Sequence, residues 1–339
     1  MGKQALVSVV LPAYNSELYI KIAIQSILDQ TYTNFELIII DDGSSDGTKN
    51  IIQSFSDNRI RFFSNETNLG LITTLNKGID LCQGEFIVRM DADDISLKNR
   101  IKKQVAFMQK HPDIAVSGSW YKAFNKGFQK KVKGYSNPNI LKGILLFNTC
   151  LCHPATIIRK NILDKYNFKY DLTYKNVEDY DLWIRISKVA QLSNVPEFLF
   201  LYRTHNNQIS QLHTQEQKLL ANSLRKRFLN ELGFIFSDKE LDIHNLIAGN
   251  IFINSKNQLN EIETWLISLI NQNKKLKCFD EDALCFVASK FWLDSCGYSN
   301  LGFWAFKRYF KSELKNYHQL GAVGRFILMV KCMIRKIKK

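Results

Sequence analysis

Along the first part of the chain, short apolar runs alternate with longer segments whose apolar residues recur at helical spacing. Leu6-Val-Ser-Val-Val-Leu11 is a β-branched run stopped by Pro12, and from Glu17 to Asp29 the residues Leu18, Ile20, Ile22, Ala23, Ile27 and Leu28 mark one face of a helix. The cycle repeats with Phe35-Glu-Leu-Ile-Ile-Ile40 and a helix to about Phe55. It repeats again with Ile60-Arg-Phe-Phe-Ser64 and a helix through Ile72, Leu75, Ile79 and Leu81. A fourth strand opens at Phe86-Ile-Val-Arg89. Three βα units in succession predict an α/β fold with a doubly wound, mostly parallel sheet, since parallel neighbours need crossover helices on both faces.

The pattern then changes. A helix is expected from about Leu97 to Lys110 and a strand over Ile114-Ala-Val-Ser-Gly118, while residues 120 to 147 are less periodic. Lys130, Lys131 and Lys133 make a local basic run there, read as solvated surface, with an acceptor phosphate nearby as the alternative. Leu151-Cys-His153-Pro-Ala-Thr-Ile-Ile-Arg159 reads as a loop entering a strand. A helix starting at Glu178 puts Leu182, Ile186 and Val189 at core spacing, and a strand over Phe198 to Tyr202 precedes the polar loop from Arg203 to Ser210. From Thr214 onward the spacing is helical, with breaks near 233–238, 254–258, 271–277 and 297–300, enough for four to six helices. The expected division is therefore residues 1–210, an α/β domain, and residues 211–339, a helical region.

Composition narrows the class. At 339 residues and 45% apolar content the chain can bury a large core. Seven cysteines lack the paired spacing of a zinc site, and free thiols point to a reducing cytosol. No apolar run approaches the length of a membrane span. The net charge of +14 is concentrated: residues 301–339 hold ten Lys/Arg against one Asp/Glu. Within them, Phe326, Ile327, Val330, Met333, Ile334 and Ile337 share one side of a helix, and Lys331, Arg335, Lys338 and Lys339 lie across from it. That is the pattern of a helix lying on an anionic membrane surface, and a last core helix with a basic edge is the alternative. The charge itself offers no nucleic-acid signature.

Candidate chemistry sits at strand ends. Asp91-Ala-Asp93-Asp94 follows the fourth strand, and at the carboxyl edge of an open α/β sheet hard oxygen ligands suit Mn2+ or Mg2+ holding a phosphorylated ligand. Helix capping is the plainer explanation for one of the three carboxylates. Asp41 and Asp42 end the second strand in the same way. Glu178, Asp179 and Asp181 cluster at a helix start, where capping again competes with chemistry.

The ordered set Pro12-Ala-Tyr-Asn15, Asp41-Asp42-Gly-Ser-Ser-Asp46, Asn68-Leu-Gly70, Asp91-Ala-Asp93-Asp94 and Glu178-Asp179-Tyr-Asp-Leu-Trp183 closely resembles the inverting glycosyltransferases of family 2, over roughly residues 5–210. The resemblance implies a GT-A fold, a UDP-sugar donor and Mn2+ or Mg2+. It implies that Pro12, Ala13 and Tyr14 line the base pocket, that Asp41 binds the uracil, that Asp91 lies by the ribose, that Asp93 holds the metal and that Asp179 is the general base. Asn15, Asp42, Asn68, Asp94, His153, Glu178, Asp181, Trp183 and His205 are further candidates around the site. Many relatives carry a proline where this chain has Lys98, a departure that touches a helix start and no ligand. The implied reaction moves a hexose or N-acetylhexosamine to a hydroxyl of an oligosaccharide or lipid-linked glycan, with a β-glycoside as product, in lipopolysaccharide, O-antigen or capsule synthesis. Such an enzyme belongs in the cytoplasm, peripheral on the inner face of the membrane. A nucleotidyltransferase also uses an Asp pair, but it wants a Gly-rich basic loop where this chain has Pro-Ala-Tyr-Asn. A basic nucleic-acid-binding protein is the remaining alternative, supported by charge alone.

Overall fold

The computed structural model describes residues 4–125, 127–205, 214–249 and 252–337. The chain forms two compact units: residues 1–138 with 149–217, and residues 139–148 with 218–339. The division is thus not the single cut at 210 that the sequence pattern favours.

In the first unit, β1 (Val7–Ala13), β2 (Phe35–Asp41), β3 (Ile60–Ser64) and β4 (Phe86–Arg89) lie parallel in the order β3-β2-β1-β4. The crossovers are α1 (Ile20–Leu28), α2 (Thr48–Gln53) and α3 (Leu71–Leu81). Every residue of β1, β2 and β4 is buried, as their near-continuous apolar sequences require of a sheet covered on both faces. On α1 the buried stripe is Ile20, Ala23, Ile24 and Ile27, while Leu18 and Ile22 are exposed. β1 runs two residues past the expected stop at Leu11. Pro12 is tolerated because β4 has already ended beside it, so its missing N–H would have had no partner on that side.

Beyond β4 the sheet becomes mixed. β8 (Ile157–Arg159) pairs antiparallel with both β4 and β6 (Ile114–Asn125), and β9 (Gln191–Arg203) runs parallel to β6. The two-residue strand β5 (Ile95–Ser96) pairs with β9. The stretch expected to be irregular after residue 120 is the far half of β6, folded into a hairpin with β7 (Phe128–Val132). Its residues are exposed or half-buried, so no clean alternation of apolar and polar positions marks it. α4 (Arg100–Lys110) starts three residues later than expected, because Ile95 and Ser96 are taken by strand pairing. Val189, expected in the core, is 40% exposed just past the end of α5 (Glu178–Ile186).

The second unit holds helices Thr214–Glu231 (from residue 218), Asp238–Ala248, Lys256–Leu276, Glu281–Tyr298, Phe303–Lys311 and Ala322–Ile337. Residues 139–148 belong to it through buried polar contacts. Arg225 Nε donates to the Phe147 carbonyl at 2.6 Å, and His244 Nε2 lies 2.8 Å from that of Leu146. Trp265 Nε1 donates to His244 Nδ1, so the imidazole is neutral, and burial pushes its pKa down to about 3.

Candidate functional site

The strand order reverses between β1 and β4: the chain leaves β1 toward β2 and β3, then returns to pair on its other edge. Ligands of open α/β sheets bind at such a switch point, outside the carboxyl ends of the strands. Ala13, Tyr14 and Asn15 lie just there, as do Asp91, Asp93 and Asp94. Pro12 and Ala13 are buried in β1, whereas Tyr14 is 48% exposed. Asn15 takes a left-handed φ of 45° and ties this loop to the next, accepting from Ser45 N at 2.9 Å and donating its own N–H to Ser44 Oγ.

Ligand oxygens of Asp91, Asp93 and Asp94 lie within 4.8 Å of one another. Capping does not explain them, because α4 begins at Arg100 and its N-cap is Asn99. Burial, together with the neighbouring carboxylates, raises the pKa of Asp94 well above the usual range. Burial raises that of Asp91 too, against the pull of the Arg89 guanidinium paired with it. Asp94 Oδ2 is buried without a hydrogen-bond partner. Three crowded carboxylates, the buried one of them with an orphaned oxygen, are what a hard divalent cation fits, so the donor set suits Mn2+ or Mg2+.

The residues around this cluster divide by what they touch. His205 Nε2 lies 2.9 Å from Asp93 Oδ2. Asp94 Oδ1 accepts from the backbone N–H of Arg203 at 2.7 Å, and the Arg203 guanidinium donates to the Asp93 carbonyl. Asp41 is buried in its own loop, accepting from Ser44 N and Ser64 Oγ, each at 3.3 Å. Asp42 accepts from Asn65 Nδ2, Leu69 N and Gly70 N at 2.8 to 3.0 Å, and Asn68 Oδ1 accepts from the same Gly70 N–H. These two side chains shape the 65–70 turn.

A second group gathers where α5 begins. Asp179 Oδ2 accepts from Thr149 Oγ1 at 3.1 Å, and burial raises the pKa of its carboxyl despite that donor. Glu178, 5% exposed, is pushed up to about 7 by burial and by the charge of Asp179, and its Oε2 has no hydrogen-bond partner. The N-cap of this helix is Val177, with no side-chain cap, so neither acid is there to cap it. Asp181 instead turns to an i,i+4 ion pair with Arg185 at 2.6 Å. Trp183 is fully buried with its ring 6.0 Å from that of His153, and His153 Nε2 is 2.7 Å from the Tyr170 hydroxyl. Desolvation first, and the Arg89 charge second, hold His153 well below the usual histidine range.

Arg89, Thr149, Tyr170 and Arg203 are not among the site residues expected from the sequence. Arg89 alone carried a signal, as one charge inside an otherwise apolar strand.

The family model for glycosyl transferase family 2 matches residues 8–166. An uncharacterized glycosyltransferase of Haemophilus influenzae is 34% identical over 270 residues, spanning 74% of this chain and 84% of its own length. The Escherichia coli O-antigen biosynthesis glycosyltransferase WbnJ is 33% identical, over 65% of this chain and 88% of its own. The E. coli UDP-Glc:alpha-D-GlcNAc-diphosphoundecaprenol beta-1,3-glucosyltransferase WfgD is 31% identical, over 63% and 83%. Among solved structures, S. aureus TarS 1-349 in complex with UDP-GlcNAc superposes with a TM-score of 0.58 at 17% identity, covering 86% of this chain and 91% of that one. The mannosyltransferase PcManGT from Pyrobaculum calidifontis, in complex with GDP-Man and Mn2+, gives 0.52 at 13% identity, covering 96% and 86%. The fold is of GT-A type, with a carboxylate cluster at its switch point. The chain belongs to glycosyltransferase family 2.

Proposed function

We propose that this enzyme is an inverting, metal-dependent hexosyl- or N-acetylhexosaminyltransferase. It takes its sugar from a UDP donor and delivers it to a hydroxyl of a lipid-linked oligosaccharide in bacterial surface-polysaccharide synthesis, as lipopolysaccharide, O-antigen or capsule. The observation that carries this reading is the pairing of two carboxylate groups around Arg89: the Asp91, Asp93 and Asp94 cluster, and Glu178 with Asp179. The UDP-Glc of WfgD's name and the UDP-GlcNAc bound to TarS favour UDP, although PcManGT binds GDP-Man on a related fold.

In this reading Pro12, Ala13 and Tyr14 border the base and Asp41 meets the uracil ring from its buried position. Asp91 lies by the ribose. Asp93 holds the cation, with Asp94 and His205 fixing its surroundings. A bound Mn2+ or Mg2+ would neutralise charge developing on the leaving diphosphate. Asp179 takes the proton of the acceptor hydroxyl, and its raised pKa makes it a better acceptor than an ordinary surface carboxylate. Attack from the face opposite the leaving group inverts the anomeric centre, so an α-linked donor yields a β-glycoside.

The last helix, Ala322–Ile337, supplies the membrane contact. It packs by Leu328 and Cys332, which are buried, and leaves Phe326, Ile327, Met333 and Ile334 about half exposed or more. A helix whose second apolar face stays open beside the exposed Arg325 and Lys331 suits an anionic interface; Lys338 and Lys339 of the expected basic stripe lie outside the described residues. Among the described residues, no helix is long and apolar enough to cross a membrane.

The test is a screen of UDP- and GDP-sugars for hydrolysis with Mn2+ and with EDTA, followed by transfer to lipid-linked acceptors. Mn2+-dependent turnover of a UDP-sugar is expected. Turnover unaffected by EDTA, or confined to GDP-sugars, would refute the reading.

A further inference from the structure

We propose that the β6–β7 hairpin recognises the diphosphate of the acceptor, through Lys131 and Lys133, set over the rings of Phe198 and Trp120, and through Lys122, which faces Lys131 across the strand pair. The proposal rests on the reading of a lipid-linked acceptor given above.

Lys122 stands directly opposite Lys131 in the antiparallel register, and like charges facing each other across a strand pair repel. Among the described residues no carboxylate pairs with Lys122, Lys131 or Lys133. Lys131 Nζ lies 5.8 Å from the centroid of Phe198 and Lys133 Nζ 4.8 Å from that of Trp120, and these two rings are 5.3 Å apart. Trp120 is fixed by its Nε1 donating to the Gly134 carbonyl at 2.9 Å. Lysines on an edge strand commonly guard against sheet-to-sheet aggregation. That accounts for exposed Lys130 and Lys131 on β7, but not for half-buried Lys122 on β6 or for the aromatic pair beneath the charges.

The face also has the right neighbours. Gly118, two residues before Trp120, packs against Asn194 and Leu151, and Leu151 follows closely on Thr149, the hydrogen-bond donor to Asp179. In the other direction Phe124 lies 4.6 Å beneath the Arg203 guanidinium, which donates to the Asp93 carbonyl. Lys122 is two residues from Phe124, about 7 Å along the strand. The strand that carries Lys122 thus leads toward both groups of acids, and an acceptor whose first sugar occupies the reaction centre carries its diphosphate one sugar further out. Ammonium groups with no carboxylate partner provide charge for a diphosphate, and the rings offer a flat surface for the adjoining sugar.

Two synthetic probes test this: GlcNAc joined to an undecyl chain through a diphosphate, and the same glycoside without it. By calorimetry in EDTA, the full-length protein should bind the diphosphate probe at least about tenfold more tightly. Lys122→Gln/Lys131→Gln should abolish that preference, and Lys122→Arg/Lys131→Arg should keep it, which separates charge from packing. Equal binding of the two probes by the wild type, or a preference that survives in the Gln variant, overturns the proposal whatever the donor is. In turnover, the Gln variant should raise KM for the diphosphate acceptor while kcat and UDP-sugar hydrolysis stay unchanged. A wild type that hydrolyses no UDP-sugar fails the donor reading instead, and the binding comparison still decides this one. If the Gln variant loses only flotation on anionic vesicles, the face is a membrane contact and the proposal is wrong.

Discussion

Arg89 is a buried cation whose charge acts on two groups of acids. It pairs with Asp91 and also lowers the pKa of Glu178 and Asp179, against the larger effect of their burial. Asp179→Asn should leave UDP-sugar binding intact and slow transfer by about a hundredfold or more, the usual scale for a positioned base. Calorimetry alongside turnover checks this, and loss of donor binding would make Asp179 a ligand or a structural residue. Glu178 makes a separate prediction. Its folded pKa of about 7 lies above the ordinary 4.5, so the folded protein binds the extra proton between those values, and this contribution to stability is lost as pH rises through that window. Glu178→Gln should therefore gain stability relative to wild type from pH 5 to pH 8, by up to about 3 kcal/mol. Denaturant midpoints of the two proteins across that range would show it, and a constant difference would mean that Glu178 is ionised in the folded protein throughout.

At the scale of elements, the loop after β2 depends on two adjacent residues. Asp42 gathers the donors of the 65–70 turn, and Gly43 passes beside that turn with φ of +71°. A Cβ on Gly43 would stand 2.6 Å from the carbonyl carbon of Thr67. Gly43→Ala should cost about 1–3 kcal/mol, from the positive φ and from displacement of the turn. It should weaken donor binding as well, because Asp41 and Asn15 share that loop. Thermal melts and UDP calorimetry measure the two effects. The sequence showed most of these elements because βα units repeat two clear periodicities. It missed the β6–β7 hairpin, because no described residue from Trp120 to Val132 is fully buried and no apolar alternation marks the two strands.

At the scale of the whole molecule, the prediction concerns the tail. Removing residues 324–339 should release the protein from anionic liposomes and slow transfer to a lipid-linked acceptor while UDP-sugar hydrolysis persists, since each Lys or Arg near such a surface contributes about 1 kcal/mol. Phe326→Ser/Ile334→Ser should weaken flotation without unfolding the unit, because Phe326 is 61% exposed and Ile334 50%. Equal flotation of intact and truncated proteins would rule out the membrane contact. The amphipathic pattern was plain in the sequence, but which apolar stripe stays open was not. Leu328 and Cys332 face inward, and Phe326 and Ile334 do not.

The sequence by itself determined the βα order, the family and the short-range motifs, because these depend on residue type and on spacing within one strand, loop or helix. Only the tertiary structure decided how the acids are used. Asp93 and Asp94 stand clear of the helix they were close enough to cap, Asp42 clamps a turn, and Asp181 pairs with Arg185. Those outcomes depend on which donor or charge a carboxylate meets after folding. Thr149 lies 30 residues from Asp179, and Arg203 lies 109 from Asp94. Burial, which raises the pKa of Asp94 and Asp179, exists only once the sheet and its covering segments are in place.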